Sequence, residues 1–111
     1  MSGKGLFIWA DKLYLGDWNL NLMHGQGTQK YTDGRIFMGN FKNDKKSGIG
    51  IYLWQDGRAY NGGWKDGKQH GVGFYMTVDQ NNNKNIIKKG VWSNGKRKHW
   101  IEDLSQKEIN E

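Results

Sequence analysis

Hydrophobic and aromatic residues alternate with polar ones in short stretches of this chain, and the stretches recur every 23 residues. Within a stretch the recurring positions have a period of two, which is typical of a β-strand. Glycine-rich segments separate the stretches, so each repeat predicts a β-hairpin. The register is marked by three aromatic-glycine-aromatic triplets: Tyr14-x-Gly16-x-Trp18, Phe37-x-Gly39-x-Phe41 and Tyr60-x-Gly62-x-Trp64.

A second set of residues recurs in the same register. It comprises His24-Gly25-x-Gly27, Ser47-Gly48-x-Gly50 and His70-Gly71-x-Gly73, followed by turns at Asp33-Gly34 and Asp56-Gly57. Units of this size cannot each close a core, so they must stack on one another. The sequence predicts an all-β array over residues 1–98, with a half repeat at 3–13, repeats at 14–36, 37–59 and 60–87, and a partial repeat at 88–98.

Side-chain parity predicts how the strands pair. A three-residue loop at Thr32-Asp33-Gly34 places Gly27 opposite Gly39, and six-residue loops at 19–24, 42–47 and 65–70 place Gly16 opposite Gly27 and its equivalents likewise. Three rows then cross one face of the sheet. The first is all glycine, the second alternates aromatic residues with glycine (Trp18, Gly25, Phe41, Gly48, Trp64, Gly71), and the third is almost wholly aromatic (Tyr14, Gln29, Phe37, Tyr52, Tyr60, Tyr75).

The opposite face carries apolar residues that lie outside the repeated motif. Too many of them are apolar for a solvated face, so we predict that they bind another protein. These protein-binding candidates are Ile36, Met38, Ile49, Ile51, Leu53, Phe74 and Met76. The alternative is a cap or docking segment formed by residues 99–111, where Trp100, Ile101, Leu104 and Ile109 have roughly the spacing of a short C-terminal helix.

Charge is concentrated near the C-terminal end of the array. The chain has 17 Lys and Arg residues against 11 Asp and Glu, a net charge of +6, and six of the basic residues fall within 84–98. They form either a solvated surface or a site for an acidic partner or a lipid headgroup. The lipid-binding candidates are Lys84, Lys88, Lys89, Lys96, Arg97 and Lys98.

Composition and spacing give no indication of catalysis. Three scattered histidines do not predict a metal site, and the exchange of His24 and His70 for Ser47 favours a structural hydrogen bond. Acidic residues recur because turns need them. We expect no enzymatic activity, cofactor or metal, and nucleic acid is disfavoured as a partner. The chain has no cysteine and no apolar run long enough to span a membrane, so we expect a cytoplasmic protein.

The motif Tyr-x-Gly-x-Trp followed by His-Gly-x-Gly, an aromatic residue and Asp-Gly resembles the MORN repeat, the membrane occupation and recognition nexus motif. The resemblance implies a single-layer, elongated, twisted antiparallel sheet of stacked hairpins. It also implies a non-catalytic scaffold, as in junctophilins, radial-spoke proteins and protist cytoskeletal proteins. The chain departs from the motif at Lys88, where an aromatic residue is expected.

We therefore predict a scaffold or adaptor subunit of a larger assembly, with a cilium or the cytoskeleton as its setting. Phosphoinositide or acidic-membrane binding is the alternative function. An apolar face or an exposed strand edge serves self-association as well as binding to other proteins, so self-association is a second kind of partner.

Overall fold

A computed structural model describes residues 2–103, which form one antiparallel sheet with the strands in chain order. The strands are β1 (Gly3–Ile8), β2 (Lys12–Asn19), β3 (Leu22–Tyr31), β4 (Ile36–Lys42), β5 (Lys45–Leu53), β6 (Ala59–Lys65), β7 (Lys68–Asp79), β8 (Lys84–Ser93) and β9 (Lys96–Asp103). The fold is all-β and its extents are 50 × 25 × 24 Å, as predicted for an elongated array of hairpins. Within residues 2–103 no helix is long and apolar enough to cross a membrane.

The predicted glycine row is present and runs across the sheet. Gly16 pairs with Gly27, Gly27 with Gly39 and Gly39 with Gly50, and the row continues in the same way to Gly90. These positions leave room for rings: a Cβ atom added to Gly73 would lie 2.5 Å from the Tyr60 ring. The aromatic row that begins at Tyr14 and ends at Tyr75 also has the predicted register.

The rings of this inner face form the core of the protein. Tyr14, Phe37 and Tyr60 have no exposed surface. Each packs edge-on against a ring of the next repeat or the next strand pair, as Phe37 does against Trp64 with centroids 5.1 Å apart. Edge-to-face packing is the favoured arrangement of aromatic pairs. Because the described residues form a single layer, the sheet must curl around these rings to bury them.

The six-residue loops predicted at 19–24, 42–47 and 65–70 are wrong. The strands continue to two-residue turns, and both residues of each turn have positive φ, as at Asn43 (48°) and Asp44 (71°). Asn, Asp and Gly tolerate this type I′ geometry. A β-bulge beside each turn shifts the register, and it uses a glycine with positive φ: Gly25, Gly48 or Gly71.

The pairings predicted for the aromatic-glycine row are present between neighbouring hairpins and absent across the bulges. Gly25 pairs with Phe41, Gly48 with Trp64 and Gly71 with Trp92. Across each bulge, however, the ring faces a different residue from the one expected: Trp18 pairs with Met23, Phe41 with Lys46 and Trp64 with Gln69.

The helical spacing expected near the C-terminus is also wrong where the structure describes it. Trp100 and Ile101 lie in strand β9, which pairs with β8. Trp100 extends the core instead of folding back over the opposite face, since its ring packs edge-on against Trp92 with centroids 5.8 Å apart. Leu104 and Ile109 lie outside the described residues.

Candidate functional site

The seven apolar candidates lie on one face of the sheet, opposite the aromatic core. Strand pairing places Met38 beside Ile51 and Ile36 beside Leu53, and Met76 follows across Ala59. We call this surface the outer apolar face; it comprises Ile36, Met38, Ile49, Ile51, Leu53, Phe74 and Met76. The parity of the strands therefore brings the predicted residues together.

Exposure differs across the outer apolar face. Ile49 is 62% exposed, and Met38, Phe74 and Met76 are between 37 and 40% exposed. The others are half-buried by their neighbours. Val72 adds to the exposed surface beside them, and Leu6, Ile8 and Leu15 extend it over β1 and β2. Leu6 and Ile8 were missed as candidates, although the period of two in the half repeat could have indicated them.

The six basic candidates do not form a single patch. Lys84 and Lys96 lie at opposite ends of β8 and its hairpin, about 30 Å apart at the rise of a strand. Lys88 and Lys89 project from opposite faces: the ammonium of Lys88 lies 5.4 Å from the Trp100 ring, and that of Lys89 lies 5.9 Å from the Phe74 ring. The remaining two, Arg97 and Lys98, lie in β9, with Arg97 over Trp100 at 4.5 Å.

A different set of cations, missed from the sequence, lies along the inner face. Each lies at the start of a strand and covers a ring at the end of the preceding strand, and equivalent pairs occur in successive repeats. We call this set the cation–ring row: Lys12 lies over Trp9 at 5.3 Å, Arg35 over Tyr31 at 4.3 Å and Arg58 over Trp54 at 5.0 Å. The sequence signal is a basic residue directly after each turn, as in Asp33-Gly34-Arg35 and Asp56-Gly57-Arg58.

The arginines of the row are held by neighbouring side chains. Arg35 donates to Asp33 at 2.8 Å and to the Tyr52 hydroxyl at 3.1 Å, and Arg58 donates to Asp56 at 2.8 Å. The hydrogen bond from Arg35 holds the pKa of Asp33 below its usual range. Asp33 and Asp56 are half exposed, so these ion pairs contribute little to stability.

Lys46 brings a further charge to the inner face because the two-residue turn pairs it with Phe41. Its ammonium lies 5.4 Å from the Phe37 ring, 5.8 Å from the Tyr52 ring and 3.4 Å from the Tyr31 hydroxyl. Burial lowers the pKa of Lys46, and the nearby positive charges of Lys12 and Arg35 lower it further.

The histidines do not assemble a site in the described part of the chain. Nδ1 of His24 accepts a long hydrogen bond from the Asn43 amide at 3.5 Å, whereas the buried Nδ1 of His70 has no hydrogen-bond partner among residues 2–103. The same residues contain no group of three or more His, Asp or Glu side chains that could hold a metal ion.

Repeated hairpins with this geometry define a class of stacked β-hairpin repeat proteins, and comparison with known families identifies the class. The MORN repeat profile matches residues 1–13, 14–34, 37–57 and 60–81, which is more than half of the chain. The chain therefore belongs to the MORN repeat family, whose repeats are non-catalytic modules for interaction with proteins or membranes. A search of curated protein sequences returns no significant match.

Proposed function

We propose that this chain is a scaffold or adaptor subunit that mediates protein–protein interaction in a larger assembly and has no catalytic activity. The outer apolar face carries the proposal. Within it, Ile49 is 62% exposed, and Met38 and Phe74 are about 40% exposed. Monomeric proteins rarely leave adjoining apolar side chains exposed in this way, and such patches mark sites where another molecule binds.

Photo-cross-linking in cells tests this surface. A photoreactive amino acid at position 49 or 74 should yield discrete protein adducts. At position 94, an exposed residue in the turn between β8 and β9, it should yield none. The variant Ile49→Lys should weaken the adducts formed from position 74, because it places a charge at the most exposed residue of the surface. Equal yields at all three positions would contradict the proposal, and a ladder of adducts with the chain itself would identify self-association.

The proposed setting is a ciliary, axonemal or other cytoskeletal assembly in the cytoplasm. It is supported by the resemblance to repeats of radial-spoke and cytoskeletal scaffold proteins. Detergent extraction of cells, followed by detection with an antibody to the chain, should find it in the insoluble cytoskeletal fraction. Complete recovery of the chain in the detergent extract would contradict the cytoskeletal setting but would not contradict the scaffold function.

Phosphoinositide or acidic-membrane binding is the alternative function. The spread of Lys84, Lys88, Lys89 and Lys96 over both faces and both ends of β8 supports it less well than a single basic patch would. Co-sedimentation with phosphoinositide vesicles at physiological salt is the test. Binding that persists there, and that falls when these lysines are changed to glutamine, would favour the alternative over the scaffold.

A further inference from the structure

The cation–ring row lies beside two adjoining cavities on the inner face. One, of about 470 Å³, is lined by Asp33, Arg35, Trp54, Gln55, Asp56 and Arg58. The other, of about 370 Å³, is lined by Trp54, Arg58, Gln69, Tyr75, Trp92, Arg97 and Trp100. Because Trp54 and Arg58 line both, the cavities form one groove that runs across the strands from Arg35 to Trp100. We call it the inner groove.

Positive charge outweighs negative charge along the inner groove. The two cavities are lined by three arginines and two aspartates. At the Arg35 end, Lys12 and Lys46 approach the same Tyr31 ring as Arg35, each at 5.9 Å from its centroid. The lowered pKa of Lys46 reflects burial together with the positive charges that face it. An anion bound here would relieve the repulsion between these cations.

We propose that the inner groove binds an acidic peptide segment in an extended conformation. Equivalent cations such as Arg35 and Arg58 are two strands apart, which is about 10 Å at the usual strand separation. An extended peptide in the polyproline II conformation has three residues per turn and rises about 3.1 Å per residue, so carboxylates at every third position lie on one side, about 9 Å apart, and would meet successive cations. The walls formed by Trp54, Tyr75 and Trp100 would contact the apolar parts of the segment between them.

The arginines can bind such carboxylates without leaving their present partners. A guanidinium has five N–H donors. The bonds from Arg35 to Asp33 and Tyr52 use Nε and Nη1, so Asp33 and a ligand can share one guanidinium. The Asp33 and Asp56 pairs are also exposed and weak, so exchange of their partners costs little.

The same geometry favours a peptide over single-stranded nucleic acid. Nucleic-acid grooves stack bases on open aromatic faces. Here Arg35 covers Tyr31, Arg58 covers Trp54 and Arg97 covers Trp100. In addition, Asp33 and Asp56 line the groove and would repel a continuous chain of phosphates, whereas carboxylates spaced three residues apart can avoid them.

This inference gives the proposed scaffold a second docking surface, on the face opposite the outer apolar face. The proposals for the two surfaces can be contradicted independently of each other. Loss of adducts from position 49 would leave peptide binding in the groove intact, and the absence of peptide binding would leave the apolar face intact.

Fluorescence anisotropy with labelled synthetic peptides tests the proposal on the whole chain. The probe is a twelve-residue peptide with glutamate at every third position and serine elsewhere. One control peptide has the same glutamates in a single block, and the other has glutamine in their place. The spaced peptide should bind at least threefold more tightly than the block peptide and tenfold more tightly than the glutamine peptide. Equal affinity for all three peptides, or no binding of any, would overturn the proposal.

Paired variants locate the site. Arg35→Gln with Arg58→Gln should weaken binding of the spaced peptide at least tenfold, because two charge-assisted contacts are lost. Lys30→Gln with Lys65→Gln removes the same charge from exposed positions outside the groove and should change the affinity less than twofold. Equal losses in the two double variants would overturn the groove assignment. An oligothymidylate of the same length that bound more tightly than the peptide would overturn the peptide assignment.

A measurement on the unmodified protein covers the case in which the arginine variants do not fold. The indole N–H signals of Trp54 and Trp100 should shift in NMR spectra as the spaced peptide is added. Those of Trp18 and Trp64 should shift less, because their Nε1 atoms donate to the backbone at Gly5 and Gly50. Shifts confined to Trp18 and Trp64 would overturn the proposal.

Discussion

Replacing Gly50 by alanine is expected to destabilise the protein, because the added methyl group would enter space that the Phe37 ring fills. A Cβ atom built on Gly50 would lie 2.4 Å from Cζ and 2.6 Å from Cε1 of Phe37. Ordinary contact begins near 3.4 Å, so the ring or the strand would have to move by about 1 Å. Gly50 lacks the positive φ that disfavours alanine, so the clash itself accounts for the effect.

The surrounding rings leave Phe37 little room to move. Phe37 has no exposed surface, and its ring packs edge-on against Phe41 and Trp64, with centroids 5.2 and 5.1 Å away. Overpacking of a well-filled core costs roughly 1–3 kcal/mol, and a fully enclosed ring places this case near the upper value. We expect a loss of about 2–3 kcal/mol in the free energy of unfolding and a fall of about 10 °C in Tm.

Urea denaturation followed by tryptophan fluorescence and circular dichroism measures this loss, and a double-mutant cycle assigns its cause. Leucine has no atoms equivalent to Cε1 and Cζ, so in a Phe37→Leu background Gly50→Ala should cost at least about 1 kcal/mol less. Gly67→Ala is the control. Gly67 has a φ of +83° and no atom within 4 Å of an added Cβ, so its cost is that of the backbone alone, about 1–2 kcal/mol in both backgrounds.

Two results would refute this reasoning. One is a loss of less than about 0.5 kcal/mol for Gly50→Ala, which would mean that the ring moves freely. The other is an equal loss for Gly50→Ala in the presence and absence of the Phe37 ring. A changed m value would instead indicate that the variant had altered the native or the denatured state, so the comparison requires an unchanged slope.

One further prediction concerns stability at alkaline pH, and another concerns the last hairpin of the array. Burial raises the pKa of Tyr14 and Tyr60 to about 12, so stability is full below pH 10 and is lost between about pH 10 and 12, by about 1–2 kcal/mol per tyrosine with solvent screening included. Urea titrations should show a smaller loss over this range for Tyr60→Phe than for the unmodified protein, and an equal loss would contradict the assignment. Lys88→Tyr and Trp100→Gly should each lower Tm. The double variant restores the repeated pattern and should be more stable than either single variant. Additive losses of Tm in the double variant would contradict this prediction.

The parts of the fold that depend on side-chain parity could be predicted from the sequence. Gly27 opposite Gly39, and Tyr52 opposite Tyr60, follow from the period of two and from the three-residue turn. The outer apolar face follows from the same parity, which is why Met38 and Ile51 were placed together before their pairing was known. What covers that face depends on another molecule, so the sequence of this chain alone does not specify it.

The bulges were not predicted, because they depend on backbone conformation and the prediction used side-chain parity. From the sequence, Gly25, Gly48 and Gly71 are predicted only to leave room for rings. In the structure they have positive φ and lie in bulges, where their strand has more residues than the strand it pairs with. The turn residues Asn43-Asp44 and Asp66-Gly67 could have indicated two-residue turns, and hence the bulges. The six-residue loop predicted at 42–47 instead removes Lys46 from the sheet. The prediction therefore leaves out the positive charge of Lys46 on the inner face.

The departure of Lys88 from the repeat is compensated elsewhere in the same strand pair. In the intact repeats a ring at the first position covers a glycine two strand positions away, as Phe37 covers Gly50. At the end of the array the roles are exchanged: Lys88 stands in place of the ring and Trp100 in place of the glycine opposite Gly90. The Trp100 ring then lies over Gly90 and packs against Trp92, with Lys88 near its face. The physical requirement of each repeat is therefore one ring over the glycine row, and either strand of the hairpin can supply it.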